Sequence, residues 1–349
     1  MRTPAPLSEF PLLATSVERD RWVLARRGPR NPVSSARPYA MLLESERSED
    51  ALRVGTVTVF LTNRECPWRC VMCDLWKNTL ETQTPVGAIP LQIDVALREL
   101  GPLATPSPQR QIKLYNSGSF FDPGAIPVGD YPEVAHRIVG FGRLIVESHP
   151  SLVGDRVIRL QEELGLASRR LDQPAPRLEV ALGLETVHPD ALRKLNKRMT
   201  VDDFRRAAQF LADHQVSLRV FLLVQPPFLE EAEGAEWLRR SMVEAFDAGA
   251  TVVSLIPTRL GNGALESLAA QGGFREPQLE ALESALASGL QMRRGRVFAD
   301  LWDLKRFSRC DHCFEERLHR LEAMNDLQEI LDAVRCAYCD QNKSAWDLS

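Results

Sequence analysis

The chain has 349 residues, 44% of them apolar and 26% charged, with a formal net charge of -4. That length holds one α/β barrel of about 200–250 residues plus an appendage, and the near-neutral charge argues against a chain-wide grip on nucleic-acid phosphates while leaving local basic patches open. No apolar run such as Val220–Val224 approaches the roughly 18 residues of a membrane span, and Met1-Arg2-Thr3-Pro4-Ala5-Pro6 has no apolar leader core, so a cytoplasmic protein with no membrane partner is expected.

Residues 1–50 are rich in Pro and Arg, and no acidic residue lies between Arg26 and Arg37. Such a tract is expected to be a solvated arm; the alternative is a phosphate-contacting segment beside an active site. From residue 54, short β-rich runs alternate with amphipathic stretches, the pattern of βα units around a parallel sheet. Strands are predicted over 55–61, 111–116, 143–148, 177–184, 217–224 and 251–256, with 296–299 as a candidate last strand. This predicts an α/β fold, a partial (β/α)6 TIM-like barrel whose C-terminal strand ends share one active-site rim. Thr200 and Asp203 form a capping-box-like helix start, and Phe204, Ala208 and Leu211 follow as one apolar stripe.

Chemistry is expected at the strand ends. After the second strand, Asn116-Ser117-Gly118-Ser119 is a turn of small residues that brings backbone close to a ligand. The third strand runs into Glu147 and the fourth into Glu185, carboxylates placed to accept from a ribose diol or, alternatively, surface or barrel salt-bridge residues. His149, before Pro150, reads as structural, and Asn196-Lys197-Arg198 as an exposed polar loop, with a substrate-facing loop as the alternative. Gln225 and Arg259 end the fifth and sixth strands, where Gln225 could meet an adenine or a substrate carbonyl and Arg259 a substrate anion.

The seven cysteines form a triad, Cys66, Cys70 and Cys73, and two C-x2-C pairs, Cys310/Cys313 and Cys336/Cys339. In a reducing compartment this is a metal-binding set. The later pairs flank a helical stretch, Glu315 to Val334, and make a second metal site, either tetrahedral zinc or an auxiliary iron-sulfur cluster. A zinc shell at the triad would need a fourth ligand nearby, and none follows.

The C-x3-C-x2-C spacing in a loop after the first strand resembles the signature of the radical S-adenosylmethionine (SAM) superfamily. Three thiolates on a [4Fe-4S] cluster leave one iron open, and in that family SAM occupies it and is cleaved to a 5′-deoxyadenosyl radical. The resemblance implies SAM contacts at Ser117, Gly118 and Ser119, where a Gly-Gly-Glu-like motif is usual and the acidic position is here replaced, and at Glu147 and Glu185. It divides the chain into an arm over 1–50, a radical SAM barrel over 51–300 and a Cys-rich metal-binding segment over 301–349.

More narrowly, Leu61-Thr62-Asn63, Tyr115–Phe120 and Gly183-Leu184-Glu185-Thr186 look like the branch containing the Elongator catalytic subunit, methylthiotransferases and the nitrogenase-cofactor protein. Cys66 through Trp76 is similar to the radical SAM subunit of archaeosine synthase and its bacterial relatives, which implies a modified nucleoside in tRNA as substrate. It also implies a flavodoxin, ferredoxin or reductase as electron donor. Met72 stands where an aromatic residue often touches adenine, and a thioether is an adaptable substitute. The alternatives are a small metabolite or peptide substrate, or a non-catalytic metal-binding interaction protein.

Overall fold

The structure, a computed structural model, describes residues 15–346; Met1–Pro6 and the ends of the expected first and last segments lie outside them. In chain order the main elements are α1 (Ser16–Leu24), β1 (Ala40–Arg47), β2 (Arg53–Phe60), α2 (Ala88–Leu100), β3 (Arg110–Tyr115), α3 (Tyr131–Ile138), β4 (Arg143–Ser148) and α4 (Asp155–Leu171). Next come β5 (Arg177–Glu185), α5 (Pro189–Lys194), α6 (Val201–Asp213), β6 (Ser217–Val224), α7 (Glu231–Asp247) and β7 (Ala250–Pro257). The chain closes with α8 (Ala264–Ala269), α9 (Leu279–Gln291), β8 (Arg296–Ala299), α10 (Phe314–Leu327) and α11 (Ala337–Trp346).

All eight strands form one sheet in sequence order, and β2 through β8 are parallel. The six predicted strands are β2 to β7, and 296–299 is indeed β8. The addition is β1, which lies inside the segment expected to be an arm and pairs antiparallel with β2 from Ala40↔Phe60 to Arg47↔Arg53. Residues beyond 300 also join the core: Leu304, Phe307, Phe314, Leu321 and Met324 pack in the main apolar cluster. There α10 covers the open edge of β8. Asn325 exchanges two hydrogen bonds with the backbone of Ala299, both 2.9 Å, and Gln328 does the same with Val297 at 2.8 and 2.9 Å. An edge strand's unpaired amides and carbonyls are thereby satisfied without another strand.

Alternate strand residues point outward into the helices, among them Val57, Val59, Ile112, Leu114, Leu144, Val146, Val180 and Leu182. The inner face is polar at its base. Glu46 of β1 pairs with Arg219 and, at 2.8 Å, with Lys113, while Glu179 takes Arg143 and Arg219, each at 2.6 Å. Arg296 donates to the Arg47 carbonyl at 2.8 Å, so the curl of the sheet brings β8 back to β1. Above this charged floor lies an aromatic layer, Tyr39, Phe60, Tyr115 and Phe221, with neighbouring ring centroids 5.6 to 6.1 Å apart. The strands' C-terminal ends rise above that layer to form the mouth.

Candidate active site at the barrel mouth

β2 hands the chain to the mouth under tight control. Buried Gln92 of α2 accepts from the Thr62 amide at 2.7 Å and donates to the Thr62 carbonyl at 2.8 Å, continuing the pairing one step past the strand. Cys66, Cys70 and Cys73 follow in an irregular loop. The loop is held from outside: the Val71 amide donates to Leu195 at 3.0 Å, Asn262 to the Val71 carbonyl at 2.7 Å and Asn196 to the Arg69 carbonyl at 2.9 Å. Val71 is buried and Met72 half-buried in a second apolar cluster with Trp22, Val23, Leu265 and Leu268, so α1 and α8 clamp the loop.

Arg27 and Arg30 of the basic tract are not simply solvated. Arg27 and Arg30 pair with Glu65, the residue before Cys66, at 2.6 and 2.5 Å, and Arg69 joins them at 3.0 Å. Arg30 also donates to the Trp76 carbonyl at 2.6 Å, beyond the triad. Burial of Glu65 would favour its neutral form, but Arg27 and Arg30 outweigh that and hold its carboxyl below the usual range.

Three non-glycine residues at strand ends adopt left-handed backbone: Ser117 (φ 54), Glu185 (φ 66) and Gln225 (φ 54). Such conformations are costly for side-chain-bearing residues and gather where function over-determines the geometry. Gly118 lies against the triad, so a Cβ there would come within 3.0 Å of the Cys66 Cβ. Ser119 Oγ is 2.9 Å from Ser148 Oγ and Ser117 Oγ 3.3 Å from the Tyr39 hydroxyl. Glu147 accepts from the Asn116 amide at 2.6 Å; burial pushes its carboxyl up against the pull of that amide and those of Gly118 and Ser117. The sequence-predicted Ser117, Gly118, Ser119, Glu147 and Glu185 thus ring the mouth with the triad. Buried Asn116 leaves its side-chain Oδ1 and Nδ2 without a protein partner, as does Asn63 its Oδ1.

Lys197, read from the sequence as part of an exposed polar loop, is buried. Its ammonium pairs with Glu185 and feels the Cys70 and Cys66 sulfurs; burial opposes the charge, but Glu185 and those sulfurs hold it cationic, above its ordinary value. The thiols keep some open surface at the mouth, yet burial pushes Cys66, Cys70 and Cys73 each up to about 12. Arg27, Arg69 and Lys197 supply the positive field that favours their thiolates.

His149 supports this arrangement. Its ring stacks on Trp68 with centroids 3.8 Å apart; Nδ1 accepts from the Ser151 amide at 3.2 Å, and Nε2 therefore carries the proton it donates to the Lys197 carbonyl at 2.9 Å. Burial, with the Lys197 charge nearby, pushes its imidazole down to about 3. Arg259 is taken by Asp300 at 2.6 Å and Arg198 by Asp20, so neither stands as a free anion receptor. Gln225 donates to the Leu229 carbonyl at 3.1 Å and lines a cavity of about 410 Å³ beside the mouth.

The four C-terminal cysteines converge, their sulfurs all within 4.8 Å of one another.

No family model matches the chain. Archaeosine synthase subunit beta of Methanosarcina acetivorans is 26% identical over 244 residues, 66% of this chain and 65% of that protein. The same subunit of Thermococcus kodakarensis is 26% identical over 245 residues, 66% of this chain and 69% of that one. The match thus spans just under two thirds of the Methanosarcina protein's length. Among solved structures, Elp3 of Methanocaldococcus infernus superposes with a TM-score of 0.48 at 16% identity, over 72% of this chain and 61% of that one. Methylornithine synthase superposes with a TM-score of 0.47 at 14% identity, over 84% and 74%.

Proposed function

We propose that this chain, a relative of the radical SAM enzymes, holds a [4Fe-4S] cluster on Cys66, Cys70 and Cys73 and modifies a nucleoside in tRNA. The observation that carries the reading is the meeting of a three-cysteine loop with left-handed strand ends at one barrel mouth. Two points support the fit of cluster and SAM to these residues: buried Asn116 has amide atoms without a protein partner, and Arg27, Arg69 and Lys197 place positive charge near the thiols. When bound, cluster and SAM supply reductive cleavage to a 5′-deoxyadenosyl radical able to abstract hydrogen from an unreactive C–H bond.

The chain's own residues bind and orient. The Ser117–Ser119 turn would hold SAM's methionine moiety through its backbone, and Glu147 and Glu185, at the ends of neighbouring strands, would meet its polar groups with the acceptor capacity left by the Asn116 amide and Lys197. Lys197 offsets negative charge at the triad and aligns Glu185. Trp68, stacked on His149, walls one side and excludes water.

The tRNA substrate is supported by the likeness to archaeosine synthase subunit beta, and a flavodoxin, ferredoxin or reductase would supply the electron this chemistry consumes. Seven unpaired cysteines suit the reducing cytoplasm, and among the described residues no helix is long and apolar enough to cross a membrane.

Anaerobic incubation of the reconstituted protein with SAM and dithionite tests the chemistry: 5′-deoxyadenosine forms, and Cys70→Ala abolishes it. No product from protein with its cluster intact would leave a non-catalytic metal-binding protein. Nucleosides from cells with and without the gene test the substrate; identical profiles would turn the search to a small metabolite or peptide.

A further inference from the structure

The four C-terminal cysteines have a geometry that separates the two metals open to them. A tetrahedral zinc ion with four sulfurs at about 2.3 Å sets those sulfurs about 3.8 Å apart. Here Cys310 and Cys336 stand 4.0 Å apart, Cys313 and Cys339 3.6 Å, and no pair among the four exceeds 4.8 Å. A four-iron cluster gives each thiolate its own iron, and a two-iron cluster divides four thiolates between two irons. Either one places thiolates on different irons, whose sulfurs then stand further apart than the 4.8 Å that spans all four here.

The surrounding backbone also has the form of two matched metal-binding turns. Cys313 is the N-cap of α10, and Cys336 precedes the first turn of α11. The Cys336 sulfur accepts from the backbone amides of Cys339 and Tyr338, hydrogen bonds that stabilise a metal-bound thiolate. The third residue of each C-x2-C, His312 and Tyr338, meets its counterpart with ring centroids 4.6 Å apart.

From Arg335 to Gln341 no residue is buried, so over these residues burial contributes little and a cross-link through Cys336 and Cys339 would supply anchoring free energy. Cys339 and Asp340 nevertheless form part of the wall of the cavity of about 410 Å³ that reaches Gln225 at the end of β6.

We propose that Cys310, Cys313, Cys336 and Cys339 bind a single zinc ion, and that this ion pins α11 as a wall of the cavity beside the barrel mouth. The assignment does not depend on the chemistry of the triad. The full chain, purified anaerobically under reducing conditions, is expected to carry one zinc, and Cys336→Ser/Cys339→Ser to lose it while keeping wild-type iron and cluster absorbance. Limited proteolysis of that variant should cleave near residues 328–336 much faster than in wild type, with the rest of the chain intact. The reciprocal Cys70→Ala protein should lose iron and retain zinc, which separates failure here from failure of the triad assignment. Iron that falls by half in the double variant would overturn the proposal in favour of a second cluster. A metal-free wild type with its four thiols in two disulfides, or α11 equally protected with and without zinc, would also overturn it.

Discussion

The side-chain amide of Asn262 donates to the carbonyl of Val71 at 2.7 Å, joining the turn after β7 to the segment between Cys70 and Cys73. Its Oδ1 accepts from the Leu265 amide at 2.8 Å, so one buried side chain starts α8 and holds the cysteine loop. Replacing it by Leu keeps the volume and strands the Val71 carbonyl, a cost of about 1–3 kcal/mol for an unsatisfied buried group. Asn262→Leu is expected to fold with an unchanged far-UV spectrum and to lose iron severalfold faster on gel filtration. Wild-type iron retention would show that the loop does not need this anchor.

Lys197 gives a different signature, because its charge lies among the thiols and its partner is Glu185. Lys197→Met removes a charge-assisted hydrogen bond worth about 1.5–3 kcal/mol, so the KM for SAM should rise about tenfold or more. With one less cation near the sulfurs, the cluster's midpoint potential should move negative. Lys197→Arg should recover the potential before the affinity. A potential identical to wild type in the Met variant would mean that the ammonium acts on Glu185 alone.

The clamp by α1 rests on Trp22, whose ring packs beside Val71 and Met72 in the smaller apolar cluster. Trp22→Ala removes about 3–5 kcal/mol of local packing, and α1 buries little else beyond Val23 and Arg19. The barrel should keep its melting temperature within a few degrees. Air bleaching of cluster absorbance should accelerate, and bleaching at the wild-type rate would argue that α1 does not shield the triad.

What the sequence made legible follows from how local each signal is. The parallel strands show as apolar runs because both their faces are covered, and the cysteines show by spacing alone. β1 was missed because Ala40–Arg47 carries Glu44, Glu46 and Arg47, which look like surface residues until Lys113 and Arg219 arrive from strands 67 or more positions away. Lys197 lay in a stretch read as a polar loop, since nothing nearby announces that Glu185 and Cys70 will surround it. The helix expected to run to Val334 stops at Leu327, where Gln328 turns left-handed (φ 56) and lends its amide to Val297. Each miss turns on a polar residue whose partner is fixed by the fold and not by its sequence neighbours.

The charged floor of the barrel sets a pH limit on the fold. Burial alone would raise the Glu46 carboxyl, but Arg219 and Lys113 together outweigh it and hold the group well below the usual carboxylate range. A carboxyl depressed in the folded state contributes stability that is complete above its unfolded value of about 4.3 and is lost as pH falls below it toward the folded value. Glu46→Gln leaves two buried cations short of a counter-charge and should cost about 3 kcal/mol near neutral pH. Because the variant has no proton to take up at this position, its stability should fall less steeply than wild type between about pH 5 and pH 3. Denaturant midpoints across that range measure both effects, and parallel slopes for the two proteins would show that Glu46 does not govern the acid limb.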